Sequence, residues 1–227
     1  MDAETPKAEA LNLPQALLLL ATNDEDGEPV VAQSVLRPAV AGAILAELNL
    51  LGAIGLQGKY VRATGTAPQS DFQHQLDLIR GKSRPHTPKR WVSMLESRAE
   101  VHRIYEGMAS LGIVDHVGER HLGLFKTTRY PEKDYVPETA LLQKIQAALS
   151  RPPSDAAEPD SAPFDSGISD PRTKALIALL HVAGLLEKFF PAADQSLVRE
   201  LAKNHWPSRA VADELRMIKM AEAEAAT

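Results

Sequence analysis

Between Ala175 and Leu186 the chain reads ALIALLHVAGLL, apolar on nearly every face of a helix and interrupted only by His181 and Gly184. A helix with no polar stripe must be surrounded, either by lipid or by other helices. A membrane span takes about 20 apolar residues, and Glu187 and Lys188 close this run well short of that. The run is therefore the central helix of a packed domain. Asp170 is a good N-cap and Pro171 suits the first helical position, where a missing N–H costs nothing. The stretch Asp170–Pro191 is thus expected to form the core helix against which the rest of the chain packs.

The surrounding sequence supplies helices to do so. Asn12 and Pro14 predict a helix over Leu11–Ala21, followed by a turn at Asn23–Gly27. Leu36, Val40, Ile44, Leu48 and Leu51 form an apolar stripe, which predicts a helix from about Arg37 to Leu51, stopped by Gly52. The small residues Ala39, Ala41, Gly42, Ala43 and Ala46 on it would let another helix come close. Ala53–Gln57, Gly58-Lys59 and Tyr60–Ala63 read as a β-hairpin. Further helices are expected over Asp71–Arg80, Thr87–Leu95, Arg98–Leu111, Pro137–Leu149, about Ala193–Lys203 and Ser208–Glu224. After the helix at Arg98–Leu111, a second hairpin is expected, with strands Ile113–Val117 and His121–Phe125 around a Gly-Glu-Arg turn. Helix, glycine and hairpin in that order make a winged-helix-like unit. Residues 1–10 are polar and expected to be flexible. Residues 150–169, rich in Pro, Ser, Asp and Ala, are expected to form a mobile loop. The fold class is mainly α: a single globular domain over 11–227 with a central apolar helix and small β-hairpins.

Chemistry is sparse. There is no cysteine, no phosphate-binding loop, no dinucleotide fingerprint and no nucleophile elbow. No enzymatic activity, cofactor or metal is expected. His116 and His121 would lie on paired strands, but two imidazoles without a placed carboxylate make no closed zinc site. The acidic turn Asp24-Glu25-Asp26 lacks the Ca²⁺-loop pattern with its distal bidentate Glu and reads as a solvated turn. His181 is expected to be a core histidine and Trp91 a core anchor. The most informative pattern is electrostatic. From Arg80 to Arg103 stand seven Lys or Arg against two Glu, a local +5 in a chain of net charge −5. Such a patch suits an anionic partner: a lipid headgroup, a phosphate or nucleic acid.

Several segments, in order, resemble the Golgi phosphoprotein 3 family in a shorter, bacterial form. They are LLLLATNDEDG (17–27), VAGAILAELNLLGAI (40–54), RPHTPKRWVSML (84–95), RIYEGMASLGIV (103–114), GLFKTTRYP (123–131) and DPRTKALIALLHVAGLLEKFF (170–190). The resemblance implies one mostly helical domain with a buried late helix. It also implies a peripheral membrane protein, since the eukaryotic members bind phosphatidylinositol 4-phosphate and link glycosyltransferases to vesicle coats. Their headgroup site takes a Trp and an Arg from before and at the start of the helix matching Val40–Leu51, and two basic residues from the helix matching Arg98–Leu111. Ala32 and Ala41 stand at the first two positions here. Arg98 stands at the third and Val101 at the fourth, with Arg103 near by and Arg37 one turn before Ala41.

The leading expectation is a cytoplasmic, non-enzymatic adaptor-like protein on the membrane periphery. Arg37, Arg84, Arg90, Arg98 and Arg103 would meet an anionic headgroup of the phosphatidylinositol 4-phosphate type. A winged-helix-like nucleic-acid-binding regulator is the first alternative. Against it, the face of Glu100–Leu111 offers Glu100, Glu106 and Ser110 rather than base-reading side chains. A scaffold for protein partners or a homo-oligomer, joined through the strand edge at Ala53–Ala63, is the second. No signal peptide is expected from MDAETPKAEA.

Overall fold

Asp170 caps the central helix as its sequence predicts. In the computed structural model its carboxylate accepts from the backbone N–H groups of Arg172 and Thr173 and from the Thr173 hydroxyl. The structure describes residues 11–65, 68–121, 125–150 and 168–225. Residues 1–10 and 151–167 of the expected flexible segments fall outside that set.

The helix that starts at Asp170 does not run to Pro191. It spans Pro171–Val182 (α7) and stops at Gly184, whose φ is 70°. There the Gly184 N–H reaches the His181 carbonyl and the Leu185 N–H the Leu180 carbonyl, the two bonds of a Schellman cap. A left-handed residue is needed at that point, and glycine takes it without a Cβ penalty. Leu186–Phe189 resumes as a single turn, α8.

Before α7 come Leu13–Leu20 (α1), Gln33–Leu50 (α2), Gln73–Arg80 (α3), Pro88–Leu95 (α4), Arg98–Ser110 (α5) and Val136–Leu149 (α6). After α8 come Gln195–Asn204 (α9) and Trp206–Ala225 (α10). Two antiparallel hairpins complete the described residues: Ile54–Gln57 (β1) with Tyr60–Ala63 (β2), and Val117–His121 (β3) with Phe125–Arg129 (β4). The protein is a mainly α single domain. Among the described residues no helix is long and apolar enough to cross a membrane.

Two boundaries depart from the sequence reading. Helix α2 begins four residues before Arg37, so Pro38 lies inside it, where its missing N–H leaves the Ser34 carbonyl without its usual partner. The second hairpin is shifted along the chain. Ile113 and Val114 are buried in the core instead of forming a strand, and Gly118–Arg120 lies within β3 rather than in the turn. On the edge at β2, one position is already taken, because the Val61 N–H donates to the His86 carbonyl.

Helix α7 packs against α1, α2, α6, α8, α9 and α10, and Ile177, Ala178, Leu179 and Leu180 are wholly buried. It shares the centre with α2, which touches α1, α4, α5, α7 and α10. The small-residue face of α2 is what permits this. A Cβ on Gly42 would lie 2.1 Å from Val211 Cγ2 of α10 and 3.4 Å from Leu179 Cδ2 of α7. One carboxylate is built into this centre. Glu47 of α2, 5% exposed, accepts a two-pronged pair from Arg172 at 2.6 and 2.8 Å and the Leu13 backbone N–H at 2.8 Å. It thereby ties together the starts of α1 and α7. Trp91 is a core anchor as expected, edge-on to His86. The His181 side chain makes no hydrogen bond among the described residues and is not a core residue. It is half-buried in the last turn of α7, between the charges of Glu187 and Arg199, and burial lowers its pKa.

At the α9–α10 junction His205 is held neutral. Burial, with Arg209 near by, pushes its pKa down to about 4, and its Nδ1 shares a hydrogen with the Ser208 hydroxyl at 2.7 Å. The unfolded chain takes up this proton below about pH 6.5 while the folded chain refuses it down to about pH 4. Stability therefore falls as pH drops through that window, by roughly 3 kcal/mol at most. Urea midpoints at pH 7, 5.5 and 4 should show the fall, and His205→Gln should remove this share of it.

Candidate functional site

Helix α5 brings one recurring face to a cavity. Ser97 caps it by accepting the Glu100 N–H, and Arg98, Val101, His102 and Tyr105 follow at helical spacing. With Gln33 at the start of α2, Gly27 and Pro29 before it, and Thr128 and Tyr130 at the end of β4, they line a cavity of about 470 Å³. Arg98 and Ala99 of the first turn of α5 also line it, which places the positive end of the helix dipole near the cavity.

The wall opposite Arg98 is an aromatic and imidazole cluster. Tyr105 and Tyr130 stack with ring centres 4.3 Å apart and planes 2° from parallel. The Tyr130 hydroxyl donates to Glu106 at 2.8 Å and also meets Nδ1 of His102. His116 Nδ1 lies 2.8 Å from the same Glu106 oxygen. Glu106 is held below the usual carboxylate range, first by the Tyr130 hydrogen bond and then by His116. The Tyr130 phenol is raised by burial and by that neighbouring carboxylate. Tyr105, buried and hydrogen-bonded to Thr22, is pushed up to about 12 by burial. Both tyrosines therefore stay neutral donors. Arg98 is exposed and has no ion-pair partner among the described residues. The site offers one exposed guanidinium, the Gln33 amide, the Thr128 hydroxyl and a flat aromatic wall: an arrangement for holding an anion beside a ring.

The five arginines do not converge here. Only Arg98 lines the cavity. Arg37 turns back along α2, its Nε donating to the Gln33 carbonyl at 3.2 Å, and faces Glu96. Arg103 projects more than 100° around α5 from the cavity face, since a helix turns about 100° per residue. It is bound to Glu100 and the Asp71 carbonyl and lies over the Phe72 ring. Arg84, in the loop before α4, and Arg90, on α4, are exposed and are not among the residues that line the cavity. The +5 stretch is dispersed by folding because it wraps three separate elements. His116 and His121 also lie apart, five positions along one extended segment rather than across a strand pair.

Sequence reasoning missed His102, Glu106, Gln33, Thr128 and Tyr130 at this site. The period of Arg98, Val101, His102 and Tyr105 was the available signal within α5. Nothing local ties Tyr130 to it, because that contact depends on how β4 crosses the helix.

A family model described as Golgi phosphoprotein 3 (GPP34) matches residues 13–218. No curated protein matches the sequence at a significant level. From Leu13 near the start of α1 to Ile218 in α10, then, the chain belongs to the Golgi phosphoprotein 3 (GPP34) family.

Proposed function

We propose that this chain is a non-enzymatic, peripheral membrane protein that recognises an anionic headgroup of the phosphatidylinositol 4-phosphate type in the cavity at Arg98. The observation that carries this reading is Arg98 itself. It is an exposed guanidinium with no ion-pair partner among the described residues, at a helix N-terminus, lining a cavity that the Gln33 amide and Thr128 hydroxyl also line. Charge-assisted contacts to phosphate are strong, and a forked guanidinium makes two at once. Family membership supports the same reading. With Ala32, Ala41 and Val101 in place of aromatic or basic side chains, the site carries less positive charge than a cluster of arginines would. Affinity should then be modest and steeply dependent on salt.

Co-sedimentation with vesicles of neutral lipid, with and without phosphatidylinositol 4-phosphate, tests it. Binding should require the phosphorylated lipid, weaken with salt, and fall about fivefold in Arg98→Ala, the equivalent of about 1 kcal/mol for one basic residue at a membrane. Arg90→Ala should leave it unchanged. Binding indifferent to lipid charge, salt and Arg98 would end the proposal, and retention on DNA in its place would favour a nucleic-acid partner.

A further inference from the structure

The turn at Asn23–Gly27 is fastened to the segment that follows β4. Glu132 N–H donates to the Asp24 carbonyl and Tyr130 N–H to the Gly27 carbonyl, at 3.0 and 3.2 Å. Gly27, with φ 68°, sits so close that a Cβ there would lie 2.3 Å from Pro131 N. This contact draws together three acids that are far apart in sequence: Asp24 from the turn, Glu132 from the β4–α6 connection, and Glu138 from the first turn of α6. One carboxylate oxygen of each lies within 4.8 Å of the others.

Three such carboxylates repel one another when ionised, and no lysine, arginine or histidine among the described residues forms an ion pair with any of them. Glu138 is nine-tenths buried, at 8% exposure, and no group outside the trio donates a hydrogen bond to it. Both carboxylate oxygens of Glu132 are shut off from solvent and accept no hydrogen bond. Asp134 adds further negative charge to the surroundings of Glu132. Of the neighbouring cations, Lys133 pairs with Asp115 and Arg129 with Glu28, while Lys188, which lines the same cavity as Asp24 and Glu138, donates to the Val30 carbonyl and pairs with neither acid. A buried, unpaired carboxylate is among the costliest groups a protein can hold. Among the described residues the Glu132 carboxylate is in that condition, beside the buried Glu138.

We propose that Asp24, Glu132 and Glu138 form a binding site for a divalent cation, and that the ion is Ca²⁺ in preference to Mg²⁺. Oxygen-only donors select hard cations over zinc or copper. Ligands of one Ca²⁺ lie at about 2.3–2.6 Å in flexible geometry, whereas Mg²⁺ demands a near-ideal octahedron at about 2.0–2.1 Å. Oxygens up to 4.8 Å apart fit opposite sides of the larger ion. The cavity of about 430 Å³ lined by Asp24, Glu138, Thr22 and Asn23 leaves room for water to complete the shell. The acidic turn that lacks a Ca²⁺-loop pattern in the sequence thus acquires its missing ligands from more than a hundred residues away. The bound ion would clamp the α1–α2 turn to the start of α6.

The test uses the full chain, freed of metal with a chelator, and calcium or magnesium chloride as the only additions. Titration calorimetry should give one saturable Ca²⁺ site per chain, with Mg²⁺ at least ~10-fold weaker. Ca²⁺ should raise the melting temperature by several degrees. Glu132→Gln should abolish both effects while keeping a cooperative melting transition, because the amide keeps the side chain's size and loses only the anionic ligand. No saturable heat and no thermal shift at millimolar Ca²⁺ would overturn the proposal, as would a Glu132→Gln chain that binds as the wild type does. If that variant fails to fold, Glu138→Gln takes its place, and terbium luminescence on the wild type decides occupancy.

Discussion

Leu180→Asp yields no cooperatively folded protein. Leu180 is wholly buried in the last full turn of α7, and α7 is packed by helices on every side, so an aspartate there can reach neither water nor a partner. The lost apolar burial alone costs about 2–5 kcal/mol, and an unpaired buried charge adds several more. The sum is comparable to the entire stability of a typical domain, about 5–15 kcal/mol. Circular dichroism should show no sigmoidal urea transition. Leu180→Met, which keeps the volume, should cost less than about 1.5 kcal/mol and retain one. A folded Leu180→Asp protein would mean that α7 is not the centre of the molecule.

Arg172→Met is expected to have the second-largest effect, for the opposite reason: it removes a partner rather than adding a charge. Glu47 would be left in the core with only the Leu13 N–H. Stranding one member of a buried ion pair costs about 3–5 kcal/mol. The Arg172 side chain is 38% exposed, so water can approach from its side and the lower end of that range applies. Adding Glu47→Gln to Arg172→Met should restore more than half of the loss, because the glutamine is neutral and its carbonyl still accepts from Leu13. Urea denaturation of the two single variants and the double variant closes the cycle. A double variant no more stable than Arg172→Met would show that the loss comes from packing of the arginine stem.

These two sites differ in how far the sequence discloses them. Leu180 sits in a run with no polar face, so its burial follows from composition and period. Glu47 lies between apolar positions of the α2 stripe, and Arg172 lies beside a capping aspartate 125 positions later. Nothing local links them. The same contrast runs through the candidate sites. Arg98 was legible because it opens a capped helix, and the helices themselves were legible because caps, prolines and glycines mark their ends. Arg37, Arg84, Arg90 and Arg103 were grouped with it by proximity along the chain, and folding sent them to different faces. Tyr130 and Glu132, which complete the cavity and the acidic trio, lie in a connecting segment with no periodicity of its own. Their positions are set by two backbone hydrogen bonds to the Asn23–Gly27 turn, a long-range pairing that no local pattern encodes.

The seat of Val211 against the bare backbone of Gly42 bears on how such a chain is made. The groove on α2 leaves the ribosome long before the helix that fills it. At about 5–20 residues per second, the wait is on the order of ten seconds or more. During that interval the nascent chain carries α1 and α2 with their leucines uncovered, and then α7 without its lid. Until α10 arrives the α2 groove stays uncovered, a surface for chaperones to guard.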